Sequence, residues 1–364
     1  MAQELADRRK ALRNSCQVIH GTGIPDAPAE LFRTAAWCTE SGIKQDVYGE
    51  GELIEAFEAK IASLFGHESA RFLPSGTMAQ GIALRIWCGA GGHFGMHPSS
   101  HVEIHEERGY SHLFGLRATL VGEFDREMQP KHLAAVKDPL ATLLMELPSR
   151  ENGGRLPTWE ELQELCDLAR ARGMRLHLDG ARVWQAQVAY GRSFSEIGAL
   201  FDSIYVSFYK DIGALSGAML IGSAEFIDEA KLWQRRMGGT LYTLLPNVAS
   251  AASRFDDQLA KLPGYRDKAL QLAQALSPIQ GLQLLPDPPH TSMLHVVLSL
   301  DPEAALLARD RVAEETGLWL FGSARREPLP GFSRFELTIG EAAMQLDVEQ
   351  IAAGFRSLLE HDSV

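Results

Sequence analysis

Two apolar runs, each ending in a charged residue, constrain this chain more than any other feature. Met174-Arg-Leu-His-Leu-Asp179 ends on an acid, and Asp202-Ser-Ile-Tyr-Val-Ser-Phe-Tyr-Lys210 ends on an amine 31 positions later. Each run has the length and apolar content of a short buried strand, and the interval has room for a crossover helix. Together they predict one βαβ unit of a parallel sheet. Ligands of open parallel sheets bind beyond the carboxyl ends of the strands. The spacing therefore delivers Asp179 and Lys210 to the same crevice.

A carboxylate and an amine so placed are what a pyridine aldehyde such as pyridoxal phosphate requires. A lysine kept reactive by desolvation and nearby cations forms the imine, and an acid keeps the ring nitrogen protonated. In this reading Lys210 is the imine former and Asp179 the ring partner. The competing reading is a solvated strand-end lysine and a helix-capping aspartate, because Asp179-Gly-Ala also has the form of a helix start. A third feature is Phe72-Leu-Pro-Ser75-Gly76-Thr77-Met-Ala-Gln-Gly-Ile-Ala-Leu84, where Pro and Ser-Gly-Thr lead into a helical pattern. Backbone N–H groups and two hydroxyls then share a helix start, which suits a phosphate as well as an ordinary cap. No Gly-x-x-x-x-Gly-Lys-Ser/Thr pattern is present. Gly89-Ala-Gly-Gly-His-Phe-Gly95 lacks dinucleotide-type spacing and reads as a loop.

Asp46-Val-Tyr-Gly-Glu50, Leu73-Pro-Ser-Gly-Thr-Met-Ala79, His101, Leu178-Asp-Gly-Ala-Arg182, Ser207-Phe-Tyr-Lys-Asp-Ile-Gly213 and Arg236-Met-Gly-Gly239 follow one another in a particular order and spacing. In that order they resemble the low-specificity threonine aldolases of the β-eliminating lyase family. The likeness runs from about Asp46 to about Ala252 and continues weakly to the end. It implies a fold-type I pyridoxal phosphate enzyme of the α/β class, with a mainly parallel sheet flanked by helices and a smaller C-terminal α+β domain. It also implies a homodimer or homotetramer whose active sites are shared between subunits.

Carried over by residue, the resemblance makes Lys210 the Schiff-base lysine and Asp179 the partner of the ring nitrogen. Arg182 stands by the phenolic oxygen, and Ser75, Gly76 and Thr77 form the phosphate cup. His101 stacks on the ring, Ser207 belongs to the cofactor set, and Gly239 lies near the phosphate of the adjacent subunit. The chemistry agrees: an arginine three residues after Asp179, at a helix start, returns to nearly the same face and can hold an oxyanion. For Gly238-Gly239 a helix C-cap is the alternative.

Three departures concern the substrate. The family's serine in an Arg-Ser-Asp-Thr-Val-Thr segment is replaced by the stretch Val18-Ile-His-Gly-Thr-Gly-Ile-Pro25. Its Glu-Asn-Thr-His-Asn-Gly segment, whose histidine contacts the substrate hydroxyl, becomes the longer Glu146-Leu-Pro-Ser-Arg-Glu-Asn-Gly-Gly154, putting Arg150 or Glu151 near that place. The arginine that grips the substrate carboxylate falls where this chain has Glu336, and Arg334, two positions earlier on the same strand face, is the substitute. With the cofactor positions intact, the expectation is normal cofactor binding and poor cleavage of threonine or allo-threonine.

The resemblance favours retro-aldol cleavage of a β-hydroxy amino acid to glycine and an aldehyde. Elimination of a β-substituent and transamination are alternatives, and a catalytically lapsed binding or scaffold protein is the alternative of another class. His101, His105 and the Arg150-Glu151 pair, in that order, are the candidates for proton handling. A metal site among His93, His97, His101, His105 and His112 is disfavoured, since Pro98, Ser99 and Ser100 interrupt the four-residue spacing and no His-Glu-x-x-His motif occurs.

At 364 residues the chain exceeds one ordinary core. The pattern divides into an arm over 1–45, a large cofactor-binding domain over 46–252 and a small domain over 253–364. The arm reads as a helix followed by irregular chain. Helices are expected over 158–172, 247–262, 264–276 and 302–316. A net charge of −12 argues against a nucleic-acid binder, which needs a basic stripe. Four cysteines without metal or pairing spacing imply reduced thiols and a cytoplasmic location. The opening residues lack a signal-peptide core, and no run is apolar enough to span a membrane.

Overall fold

The computed structural model describes residues 2–21 and 26–360. Thr22 to Pro25, the end of the stretch that replaces the family's serine segment, lies outside the described residues. The chain divides into two compact units, one of Ile24–Glu151 with Leu156–Ala260, the other of Met1–Gly23 with Asn152–Arg155 and Lys261–Val364. In chain order the strands are β1 (Gln17–Val18), β2 (Ser69–Leu73), β3 (His93–Met96), β4 (Arg117–Leu120), β5 (Thr142–Glu146), β6 (Arg175–Gly180), β7 (Ser203–Ser207), β8 (Ala218–Gly222), β9 (Leu282–Leu285), β10 (Met293–Leu298), β11 (Leu318–Trp319), β12 (Arg325–Arg326) and β13 (Ser333–Thr338).

The large unit is built on a seven-stranded sheet in the order β2-β8-β7-β6-β5-β3-β4, in which only β8 runs against the rest. β6 and β7 are parallel neighbours, with Asp179 opposite Tyr205, and the helices Val183–Tyr190 and Phe194–Gly198 fill the connection. The βαβ unit expected from Asp179 and Lys210 is present. β7 and β8 are buried along their whole lengths, which explains why their sequences read as continuous apolar runs rather than alternating ones. Leu73, Ala79, Ile82, Ala83, Tyr205, Leu220 and Phe226 form one cluster, which joins the helices Gly76–Cys88 and Ala224–Arg236 to the sheet. Phe57, Phe72, Trp184, Phe208 and Phe255 form an aromatic cluster whose ring centres are 5.0–6.5 Å apart. Each such ring contributes on the order of 2 kcal/mol through burial.

The helix Trp159–Ala171 starts where the sequence predicts. Thr158 Oγ1 accepts from Glu161 N at 3.2 Å while Glu161 Oε2 accepts from Thr158 N at 2.9 Å, a reciprocal cap.

Three local expectations are corrected. The stretch 89–95 is not all loop: β3 begins at His93, and Gly95 suits a strand there because a Cβ would stand 2.8 Å from Leu140 Cδ1. Residues Ala27–Glu40 form a helix, anchored by buried Glu30, which accepts from Arg33, Ser250 and Arg254. The two helices expected over 247–276 are a single one, Leu245–Leu276, running through Pro263. Leu262, Tyr265, Ala269, Leu272 and Leu276 continue one buried stripe, so the apolar face outweighs the hydrogen bond that proline removes.

The smaller unit contains an antiparallel sheet in the order β12-β13-β10-β9 and a parallel pairing of β1 with β11. Its core includes Leu272, Leu294, Val296, Val312, Phe321, Phe335 and Phe355. The helix Pro302–Thr316 has the predicted bounds, capped by Asp301 Oδ1, which accepts from Glu303 N and Ala304 N. No helix of the described residues is long and apolar enough to cross a membrane.

Candidate active site

Asp179 is the penultimate residue of β6, and its carboxylate is buried. Oδ1 accepts from Ala181 N at 3.1 Å, and Oδ2 has no hydrogen-bond partner among the described residues. The following helix begins at Val183 with Arg182 at its N-cap and no side-chain cap, so Asp179 does not serve as a helix cap. Burial pushes its pKa above the ordinary carboxylate value, opposed by the charges of Lys210 and His101.

Lys210 follows β7 by three residues. Its Nζ lies 5.6 Å from the centre of the Tyr209 ring and donates no hydrogen bond among the described residues. Burial and the Arg182 guanidinium lower its basicity, while Asp179, Glu146 and Asp211 oppose the shift. An amine so placed loses its proton more readily than an exposed lysine, as a nucleophile must.

Glu146 completes this group and is absent from the sequence-derived candidates. It ends β5 opposite Asp179 in the parallel ladder. Burial and the neighbouring Asp179 raise its carboxyl to about 7, with Arg150 N (3.0 Å from Oε1), His101 and Lys210 acting the other way. The signal that would have found it is the one that found Asp179, an apolar strand ending in an acid.

The helix Gly76–Cys88 starts beside β7. Ser75 is its N-cap, Oγ accepting from Met78 N at 3.3 Å, so the ordinary capping role is filled by Ser75. The amides of Gly76 and Thr77 remain without partners among the described residues, as the first turn of a helix leaves them. A Cβ on Gly76 would stand 2.0 Å from Tyr205 Oη, so only glycine lets the helix start approach the strand. Gly239 presses on the same turn, since its Cβ would meet Met78 Sδ at 2.3 Å. Gly238 takes a φ of 74° and ends the helix Ala224–Arg236, as the capping alternative predicted.

His101 opens the short helix His101–Ile104, and its Nδ1 lies 2.9 Å from Glu106 Oε1. His105 Nε2 lies 2.9 Å from Oε1 of buried Glu151, which is also 3.5 Å from Arg150 Nη1. The His101 and His105 rings are 5.0 Å apart. Ser207 is buried, and its hydroxyl donates to Ala181 O at 3.0 Å, tying β7 to the turn after Asp179. Arg334 belongs to the smaller unit, where it forms a two-point pair with Glu327 at 2.6 and 2.8 Å. No group of three or more His, Cys, Asp or Glu side chains placed to hold a metal occurs among the described residues.

The arrangement can hold an anionic group at a helix start and present a buried acid and a poorly solvated amine to one ligand. The unpartnered Asp179 Oδ2, the unpartnered Lys210 Nζ and the free first-turn amides fit pyridoxal phosphate.

Comparison with known proteins agrees. The profile of the family described as β-eliminating lyase matches residues 21–300. The low specificity L-threonine aldolase of Escherichia coli K12 is 30% identical over 72% of this chain and 80% of its own. The probable low-specificity L-threonine aldolase 2 of Arabidopsis thaliana is 29% identical over 91% and 94%. A Listeria monocytogenes structure provisionally described as an L-allo-threonine aldolase is 36% identical, covers 96% of this chain and 99% of its own, and superposes with a TM-score of 0.91. The serine palmitoyltransferase of Sphingomonas wittichii, 19% identical with a TM-score of 0.70, shares the fold. With Asp179 and Lys210 at the ends of neighbouring strands, these matches establish that the chain belongs to the β-eliminating lyase family, as a pyridoxal phosphate-dependent lyase of fold type I.

Proposed function

We propose that the chain cleaves the Cα–Cβ bond of a β-hydroxy, threonine-type amino acid, releasing glycine and an aldehyde. The observation that carries this reading is the joining of a buried carboxylate with one unpartnered oxygen, Asp179, with a desolvated amine, Lys210, and the Arg182 guanidinium. Relatives named threonine aldolase and L-allo-threonine aldolase point to the same class of substrate.

Lys210 would hold the cofactor covalently, Asp179 would face its ring nitrogen and Arg182 its phenolic oxygen. Ser75, Gly76, Thr77 and Gly239 would surround its phosphate, with His101 against the ring and Ser207 bracing the turn beneath. When bound, the cofactor supplies an electron sink conjugated to the substrate α-carbon. The protein's part is to keep Asp179 ionised and Lys210 deprotonatable, and to orient the amino acid. Arg182 and Arg150 are the proposed contacts of the substrate in the large unit, beside Glu151. Arg334 is proposed for the substrate carboxylate in competition with Glu327. A dimer or tetramer in the cytoplasm fits this reading, and the free cysteines support a reducing location.

The test is a panel of β-hydroxy amino acids added to the purified protein, reading aldehyde release and the cofactor absorbance. Aldehyde from at least one of them supports the reading. Turnover of allo-threonine below that of a standard aldolase is expected from the altered substrate positions. No aldehyde from any would overturn the retro-aldol assignment.

A further inference from the structure

Two imidazole–carboxylate pairs stand side by side in the large unit. His101 is held through Nδ1 by Glu106, and His105 is held through Nε2 by Glu151. They are not equivalent. His101 bears electrostatically on Asp179 and Glu146. His105 stands beside it, the two ring centres 5.0 Å apart, and is held by a different carboxylate.

The loop after β5 holds His105 in its place. Arg150 N donates to Glu146 Oε1 at 3.0 Å, which anchors the residue before Glu151 to the inner group. The Glu151 side chain is 8% exposed, while that of His105 is 35% exposed. A carboxylate accepts, so the hydrogen bond assigns the proton to Nε2 and leaves the lone pair on Nδ1. That nitrogen makes no hydrogen bond among the described residues. A buried carboxylate that fixes the tautomer and direction of a half-exposed imidazole is an arrangement suited to a general base.

We propose that His105 is the catalytic base that takes the β-hydroxyl proton of the substrate, and that Glu151 is its positioning residue. This deepens the retro-aldol reading and rests on it. In the step, the substrate O–H bond breaks and its proton passes to His105 Nδ1. The O–H electron pair becomes the second bond of the aldehyde carbonyl, and the Cα–Cβ pair stays with the α-carbon. One proton returned to that carbon completes glycine, so the hydroxyl proton lost is the Cα proton gained. His101, with Glu106 on its Nδ1, is left free of that duty.

The experiment compares the holoenzyme with H105N, H105Q, E151Q and E151D. Glycine has no β-hydroxyl, so the change of the cofactor absorbance on adding glycine reads cofactor and amino-acid binding apart from the proposed base. In H105N and H105Q that change persists with an affinity within about threefold, while kcat for β-hydroxy amino acid cleavage falls about 100-fold or more. In E151Q kcat falls about tenfold with KM nearly constant, and E151D recovers part of the loss. Cleavage by H105N within threefold of the parent overturns the base assignment, as does a drop in E151Q that lies in KM alone. Loss of the glycine response in both His105 variants makes the residue structural and also overturns it. A parent protein that shows no glycine response contradicts the cofactor reading itself, whereas one that responds to glycine but cleaves nothing contradicts only the retro-aldol reading and the base built on it.

Discussion

Glu146 and Asp179 stand opposite each other in the β5–β6 ladder, two carboxyl groups at the carboxyl end of a parallel sheet, with Lys210 bearing on both. Two like charges so close and so dry do not both ionise freely. The position beside Lys210 argues that Asp179 keeps the charge and Glu146 takes the proton.

Stability should therefore depend on Glu146. Its folded carboxyl titrates at about 7, above the ordinary value of 4.5, so the folded state binds more protons than the unfolded state between those values. The contribution of Glu146 to folding is full below pH 4.5 and is lost as pH rises through about 7. E146Q removes that slope and stabilises the cofactor-free protein at pH 8 by roughly 1–3 kcal/mol. Urea unfolding at pH 5 and pH 8 checks this, and an unchanged difference between the two pH values would count against the buried pair.

Gly76 should tolerate no side chain. Its Cβ would fall 2.0 Å from Tyr205 Oη, so G76A costs about 1–3 kcal/mol of stability and weakens cofactor binding by displacing the helix start. In a Tyr205→Phe background, which removes the hydroxyl, part of both losses should return. Cofactor titration of the single and double variants measures the coupling.

Asp179→Asn keeps the shape of the side chain and its bond from Ala181 N but removes the charge. Cofactor binding should survive within about tenfold while kcat falls by at least about 100-fold. Equal activity would mean that the acid has only a structural role.

The pair Asp179 and Lys210 was legible because strand length and apolar content are local properties, and the rule that ligands gather at strand ends did the rest. The helix start at Ser75 was legible for the same reason. Glu146 was missed although it too ends an apolar run, and its position opposite Asp179 is a register between strands that one sequence does not print. His105 and Glu151 are 46 residues apart and meet only through the course of the loop after β5. The fusion of two expected helices into Leu245–Leu276 came from a buried stripe continuing past Pro263, where long-range packing outweighed a local breaker. Arg334 was placed correctly on its strand, but its partner Glu327 sits on a neighbouring turn that the strand pattern did not reveal.

Lys210 is proposed to carry the cofactor as a Schiff base. Purified protein treated with borohydride and digested should yield a single peptide, containing Lys210, that bears the reduced pyridoxyl group, and Lys210→Ala should yield none while keeping the far-ultraviolet spectrum of the parent. A label on another lysine, or undiminished labelling and turnover in Lys210→Ala, would exclude Lys210 as the Schiff-base residue.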